Sequence, residues 1–304
     1  MVTPSLKQVQ TWAEQGYTQC AVSRELIADL ETPVSAYLKV AQGQHSFLLE
    51  SVEGGEQIGR YSFIGCEPRL VIHGLGQESI LESADGTRTH FPDRTTLDQL
   101  ERLVVGQRGA NPAPQPDLPR FTGGAVGFLG YETVRTFERL PAPAARPLQV
   151  PDGMWMVVNT VLAFDHVRHT IKIISTIIFD AERDLAEQYA EASAAIDAMT
   201  RKLIRPLAPS VYASAAASPT FPELNEPLES NQSFEQFSAA IEKAREYIRA
   251  GDIFQVVLSQ RFQRPTEAEP FAVYRALRTV NPSPYMFFLN LPDCAIIGAS
   301  PEML

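Results

Sequence analysis

The sequence predicts an α+β fold, a layered antiparallel β-sandwich flanked by helices, and three observations carry that prediction. Strand-like runs follow one another in groups with helix-like runs between the groups, an order that suits antiparallel pairing rather than regular βαβ units. Turn chemistry joins neighbouring runs directly, as at Ala84-Asp85-Gly86. Helical segments are punctuated by capping residues at the start and glycine at the end. With 304 residues and 44% hydrophobic content, the chain has material for one large or two ordinary domains with a real core.

Taken in order, Thr3-Pro4 opens a first helix that Gly16 ends, with Thr as cap and Pro in the first turn. Thr32-Pro33 repeats the device for a helix of about ten residues ending near Gly43. Strand-like runs follow at 46–51, 60–65, 69–74 and 78–91, the last folded on itself at Asp85-Gly86. Residues 95–108 read as a helix with Leu97, Leu100, Leu103 and Val104 on one face. Two proline-rich connectors, 110–119 and 140–151, bracket the glycine-rich stretch FTGGAVGFLGYETVR. The runs at 154–165 and 170–180 predict a hairpin about the turn 166–169. A long helix covers 181–203, and a Pro/Ser/Ala linker extends to about 231.

Ser233 and Gln236 form a capping box for the next helix, whose Phe234, Phe237, Ile241, Ala244 and Ile248 share a face before Gly251 closes it. Alternation then predicts a strand at 253–262. A helix beginning at Pro270 carries Phe271, Tyr274 and Leu277, and strands at 285–291 and 294–299 are joined at Pro292-Asp293. On this reading the chain divides into regions 1–222 and 230–304.

Composition narrows the function. Twenty-six basic against 36 acidic residues give a charge of −10, and no Lys/Arg-dense run offsets it, so nucleic acid and anionic lipid are excluded as partners. Cys20, Cys66 and Cys294 are odd in number and lack CxxC spacing, which reads as reduced thiols in a cytoplasmic protein. No apolar run reaches the length of a membrane span, and the first residues lack the pattern of a signal peptide.

Two of the motifs admit two readings. In strand 253–262 one face carries Phe254, Val256, Leu258 and Phe262, and the other Gln255 and Ser259; this is either an ordinary half-buried strand or the polar floor of a pocket. Glu302, straight after an apolar strand in Ser300-Pro301-Glu302, is either a solvated turn residue or a general acid. His166 and His169 read as solvated turn residues without zinc-ligand spacing. The glycines of FTGGAVGFLG fit neither a phosphate loop nor a dinucleotide fingerprint and imply a tight turn and close backbone packing.

Five blocks together carry a resemblance: FLLESVEGGEQIGRYSFIGCEP (47–68), FTGGAVGFLGYETVR (121–135), GDIFQVVLSQRF (251–262), NPSPYMFF (281–288) and GASPEML (298–304). They stand in the order found in the chorismate-utilising enzymes, and the chain resembles in particular the family of anthranilate synthase component I, from about residue 18 onward. The resemblance implies the chorismate-utilising form of the predicted sandwich. Members of the family run on well past this point, so the chain is read as C-terminally truncated, incomplete in its sandwich and inactive alone.

The resemblance further implies conversion of chorismate and ammonia to anthranilate and pyruvate in tryptophan biosynthesis, with Mg²⁺ as cofactor, held by ligands beyond residue 304. It assigns Glu302 to protonating the departing C4 hydroxyl. Gln255 stands where relatives that add water have a lysine base; a neutral amide suits ammonia, which is nucleophilic without deprotonation. Ammonia would come from a separate glutamine amidotransferase subunit, making a hetero-oligomer. Tryptophan would inhibit at a distinct site built from Glu50, Ser51, Pro284, Tyr285 and Met286, with the last three as an apolar wall for the indole. Two alternatives remain: the aminodeoxychorismate synthase large subunit, and a non-catalytic fragment that binds tryptophan.

Overall fold

The computed structural model describes residues 1–41, 43–51, 59–105, 110–141, 148, 150–208, 228–292 and 294–302. Helix positions 106–108, the Val104 side chain, most of the 140–151 connector, linker residues 209–227 and the turn residue Asp293 lie outside the described residues.

The elements in chain order are α1 (Leu6–Glu14), β1 (Gln19–Ile27), α2 (Pro33–Val40), β2 (Ser46–Glu50), β3 (Tyr61–Cys66), β4 (Leu70–Leu75), β5 (Glu78–Ser83), β6 (Arg88–Phe91), α3 (Thr96–Val105) and β7 (Gly124–Leu129). A 3₁₀ turn at Tyr131–Thr136 precedes β8 (Gly153–Val158), β9 (Thr160–Asp165), β10 (Thr170–Ile178) and α4 (Leu185–Leu203). Then come β11 (Glu229–Ser230), α5 (Phe234–Ala250), β12 (Phe262–Gln263), α6 (Pro270–Val280), β13 (Tyr285–Asn290) and β14 (Ala295–Ser300).

Two compact units result. Met1–Leu207 and Pro270–Leu304 form the first, and Ala208–Glu269 the second, so the residues from 270 onward pack with the N-terminal region.

In the first unit a seven-stranded sheet runs β1-β10-β9-β3-β2-β13-β14, and a five-stranded sheet runs β6-β5-β4-β8-β7. Every pairing in both sheets is antiparallel. Strand alternation sorts the residues into two cores. Leu48, Ile64, Leu162, Phe164, Ile173 and Phe288 face Val40, Ile196, Met199 and Tyr274 of the helices. Phe47, Val161, Ala163, Ile174 and Leu289 face the other way, onto Val71, Met154, Met156 and Val158 of the second sheet. The layers are therefore helices, sheet, sheet, with α3 on the outer face of the five-stranded sheet, where Gln99 Nε2 donates to Ser79 Oγ at 3.4 Å, as expected of a sandwich flanked by helices.

Several local expectations hold for the reasons given. Thr32 and Ser35 form a capping box at α2, and Ser233 with Gln236 forms one at α5, which Gly251 ends at φ +82°. Gly86, at φ +83°, turns the β5–β6 hairpin where Ser83 N–H donates to the Thr87 carbonyl at 2.9 Å.

Others need correction. Ser5, not Thr3, caps α1, and Thr3 instead pairs its backbone with Ser23 at the edge of β1. The 154–165 run is not one arm of a hairpin: β8 belongs to the five-stranded sheet and only β9 pairs with β10. The apolar run is interrupted only by Asn159-Thr160, where the residues of the inter-sheet core change parity from Met154, Met156 and Val158 to Val161 and Ala163, a mark too short to announce the passage between sheets. The glycine-rich stretch forms β7, where a Cβ at Gly127 would lie 1.9 Å from the Met154 carbonyl oxygen. That is the close backbone approach the glycines imply.

The largest correction lies in the second unit. Of the strand expected at 253–262, only Phe262 pairs, opposite Ser230. Phe254 and Val257 are exposed at 101% and 81%. A period-2 pattern makes a strand only where an edge is present to pair with it, and in this unit Glu229–Ser230 is too short to template ten residues.

Candidate functional site

Register brings five strand ends of the large sheet together. Met286 of β13 pairs with Glu50 at the end of β2, and Tyr285 pairs with Ser300 at the end of β14. Leu49 of β2 pairs with Phe63 of β3, so one further step sets Glu50 opposite Ser62; Tyr61 pairs with Asp165 at the end of β9. One rim of the sheet thus collects Asp165 and His166, Ser62, Glu50 and Ser51, Pro284 to Met286, and the segment leading to Glu302.

Alternation decides which side each residue takes. Glu50 shares the parity of Leu48, and Met286 that of Phe288, both of which face the helices. There α6 covers them. The Tyr274 hydroxyl donates to Glu50 Oε2 at 2.5 Å, and Arg278 Nε donates to the same oxygen at 3.1 Å. Only 2% of the Glu50 side chain is exposed, against 38% of Arg278. Burying a carboxylate is costly unless it is paired, and these two donors supply the pairing. Burial, and next the adjacent Glu50 charge, push the Tyr274 hydroxyl well above the usual phenol range, so it stays a neutral donor.

Aromatic packing holds α6 in place. Phe271 stacks on Tyr37 at 4.4 Å between centroids, and Phe288 of β13 meets Tyr37, Phe271 and Tyr274 at 5.5, 5.1 and 5.8 Å. Such pairs add to area burial and fix ring orientation.

Beside Glu50 on the same face, His166 Nε2 lies 2.8 Å from Ser62 Oγ, and its ring stacks near Phe164. The expectation of a solvated turn residue is therefore wrong for His166. Its ring is half-buried, and burial lowers its pKa against the opposing pull of Glu50 and Asp165. His169 is exposed in the turn, as expected. Next to it, Asp165 accepts from Arg60 Nη2 at 2.8 Å and from the backbone N–H groups of Val167 and Arg168 at 3.1 Å. Burial would raise the Asp165 pKa, but the Arg60 bond and those N–H groups outweigh it and hold the carboxyl below the usual range.

The other sequence-singled residues lie as follows. Tyr285, 38% exposed, points to the face opposite Met286, which is 1% exposed in the helix-side core. Ser51 and Pro284 are partly buried at the rim. Glu302 is exposed two residues past β14, its backbone carbonyl accepting from Ser300 Oγ at 2.6 Å. Gln255 and Ser259 are exposed in the second unit, in a stretch without strand pairing.

Sequence reasoning placed Tyr274 on an apolar helix face and passed over Arg278. The usable signal was their i, i+4 spacing, which puts phenol and guanidinium side by side. Nothing local marks Ser62 or His166; only the β3–β9 register joins them.

Among the described residues no group of three or more His, Cys, Asp or Glu could hold a metal ion. No described helix is long and apolar enough to cross a membrane. Cys20 and Cys66 are buried, which pushes their thiols up to about 12 and about 11; Cys294 is partly buried.

Comparison with known proteins places the chain. Residues 44–304 match the model of the chorismate binding enzyme family, and the chain belongs to that family. It is 41% identical to the anthranilate synthase component 1 of Synechocystis sp. over all of this chain and 60% of that protein. It is 38% identical to the probable anthranilate synthase component 1 of Schizosaccharomyces pombe, over all of this chain and 57% of that one. The crystal structure of anthranilate synthase component I from Streptococcus pneumoniae superposes with a TM-score of 0.55 at 28% identity, covering 91% of this chain and 57% of that one. The chain thus spans about 60% of the length of the curated relatives it matches.

Proposed function

We propose that this chain is the chorismate-handling large subunit of an anthranilate synthase. Chorismate and ammonia give anthranilate, pyruvate and water, with ammonia supplied from glutamine by a separate amidotransferase subunit, in the cytoplasm and on the way to tryptophan. The observation that carries the proposal is identity of 35–41% to proteins named anthranilate synthase component 1, sustained over nearly the whole chain. The same names weigh against the aminodeoxychorismate alternative.

Within that reading Glu302 is the acid that protonates the departing C4 hydroxyl. Its exposure and the serine-bonded turn before it leave the carboxyl open to a substrate. Gln255 supplies a neutral amide where a base would favour attack by water. Mg²⁺ belongs to the proposal as the resemblance implies it, with no ligand assigned to this chain. Tryptophan would inhibit at the β2–β13 rim, contacting Glu50, Ser51, Pro284, Tyr285 and Met286. Because Tyr285 and Met286 take opposite faces, the ligand would sit across the strand ends rather than on one wall.

The test is Glu302→Gln in a preparation carrying the full length its relatives have. Turnover should fall by about 10²- to 10⁴-fold while chorismate affinity holds. Activity within twofold of the parent would make Glu302 a turn residue and remove it from the chemistry.

A further inference from the structure

We propose that the cleft between the β9–β10 sheet end and the first half of α4 is a small-molecule site, in which Arg69 receives the oxyanion of the ligand. The cleft lies at the opposite end of β9 from Asp165 and the rim, apart from the residues given roles above.

The cleft encloses about 460 Å³, within the roughly 300–1,000 Å³ of ligand pockets. Part of its lining is a built polar floor. Thr160 of β9 pairs with Ser175 of β10, and their hydroxyls lie 3.0 Å apart. Two hydroxyls bonded to each other use one of their two protons, so the other is left to donate. Neither hydroxyl has a further bond among the described residues, and Ser175 is only 3% exposed, so that donor is held in place by the sheet.

Arg69 lines the same cleft and has no carboxylate partner. Its Nε donates to Asn159 Oδ1, a neutral acceptor, at 3.1 Å, and it forms no ion pair among the described residues. Arg24, Arg60 and Arg278, by contrast, each pair with a carboxylate. Two carboxylates also line the cleft but are engaged elsewhere: Glu191 pairs with Arg183, and Asp180 accepts from the Glu182 N–H at 3.0 Å. Burial lowers the Arg69 pKa and no carboxylate raises it, as expected of a partly desolvated cation without a counter-charge.

An oxyanion is the chemistry that fits. The Arg69 Nη groups take no bond among the described residues, and their planar fork matches two oxygens of a carboxylate or phosphate. The same group accepts the spare hydroxyl proton of the floor. A cationic ligand would instead meet an unopposed guanidinium.

The 304-residue chain is titrated with inorganic phosphate and, separately, with acetate, at ionic strength held constant with chloride. Binding is read from the ³¹P line width for phosphate and from the rise in melting temperature for both. At least one of the two should bind, and the tighter of them identifies the head group. Arg69→Gln should weaken that binding by about tenfold or more, as for a bond to a charged group. Arg69→Lys keeps the charge without the fork and should weaken it by a smaller factor, so it reports on the site even if Arg69→Gln fails to fold. Arg88→Gln, which removes the same charge from the exposed β5–β6 hairpin, should stay within about twofold of the parent. No binding of either anion to the parent, equal binding by the Arg69 variants, or equal weakening in Arg88→Gln overturns the inference.

Discussion

Helices α5 and α6 begin from similar sequence signals and end in opposite surroundings. Both carry amphipathic apolar residues, and α5 has the better start, with its reciprocal Ser233–Gln236 capping box and Gly251 stop. Yet no residue of α5 is buried, while α6 buries Tyr274 completely. Phe234 and Ile241 of α5 stand 82% and 39% exposed. Caps and periodicity decide where a helix forms; burial needs a facing layer, and among the described residues of its compact unit α5 has only the two-stranded β11–β12 pair. The same contrast separates β13, which has β2 and β14 on either side, from the 253–262 stretch, of which only Phe262 has a strand partner among the described residues.

The contrast breaks most readily at Phe288, which is 2% exposed under α6 and meets three other rings. Phe288→Ala should cost about 3–5 kcal/mol in urea unfolding, the usual loss for a buried aromatic. A loss below about 1 kcal/mol would show that α6 is no better seated than α5.

A smaller effect is expected at the rim, where Asp165 holds the β9 end to Arg60. Its folded pKa lies below the ordinary value, so the stability it gives is present above the unfolded pKa and disappears as pH falls through the lower folded value. Asp165→Asn should therefore cost about 1.5–3 kcal/mol near neutrality, the range for hydrogen bonds to a charged group, and progressively less in acid. A deficit that stays constant down to pH 2 would assign the loss to packing instead of charge.

The smallest effect belongs to α5. Ile241→Ala should change stability by less than about 0.5 kcal/mol, as for other surface substitutions. A cost above about 2 kcal/mol would mean that this face is covered in solution and that the comparison of the two helices fails.

Much of the first unit was legible because its signals are local. The Thr32 cap, the Asp85-Gly86 turn and the apolar runs of β9 and β10 each fixed an element without reference to the rest. The layered antiparallel architecture followed from their order. What escaped was long-range: the split of 154–165 between two sheets, the Ser62–His166 contact and the Tyr274–Glu50 bond span up to 224 positions and depend on register. The two rim blocks were matched to each other by resemblance, and the pairing of Met286 with Glu50 supplies their physical contact. Their division between faces comes from strand alternation, which could be applied only once the strand bounds were known.

The central claim, chorismate amination followed by loss of pyruvate, is tested most directly by product analysis. A preparation with the full length of the relatives, given chorismate, Mg²⁺ and excess ammonia, should form anthranilate and pyruvate in equal amounts, followed by fluorescence and by a coupled pyruvate assay. Accumulation of an aminated chorismate without pyruvate would contradict the account.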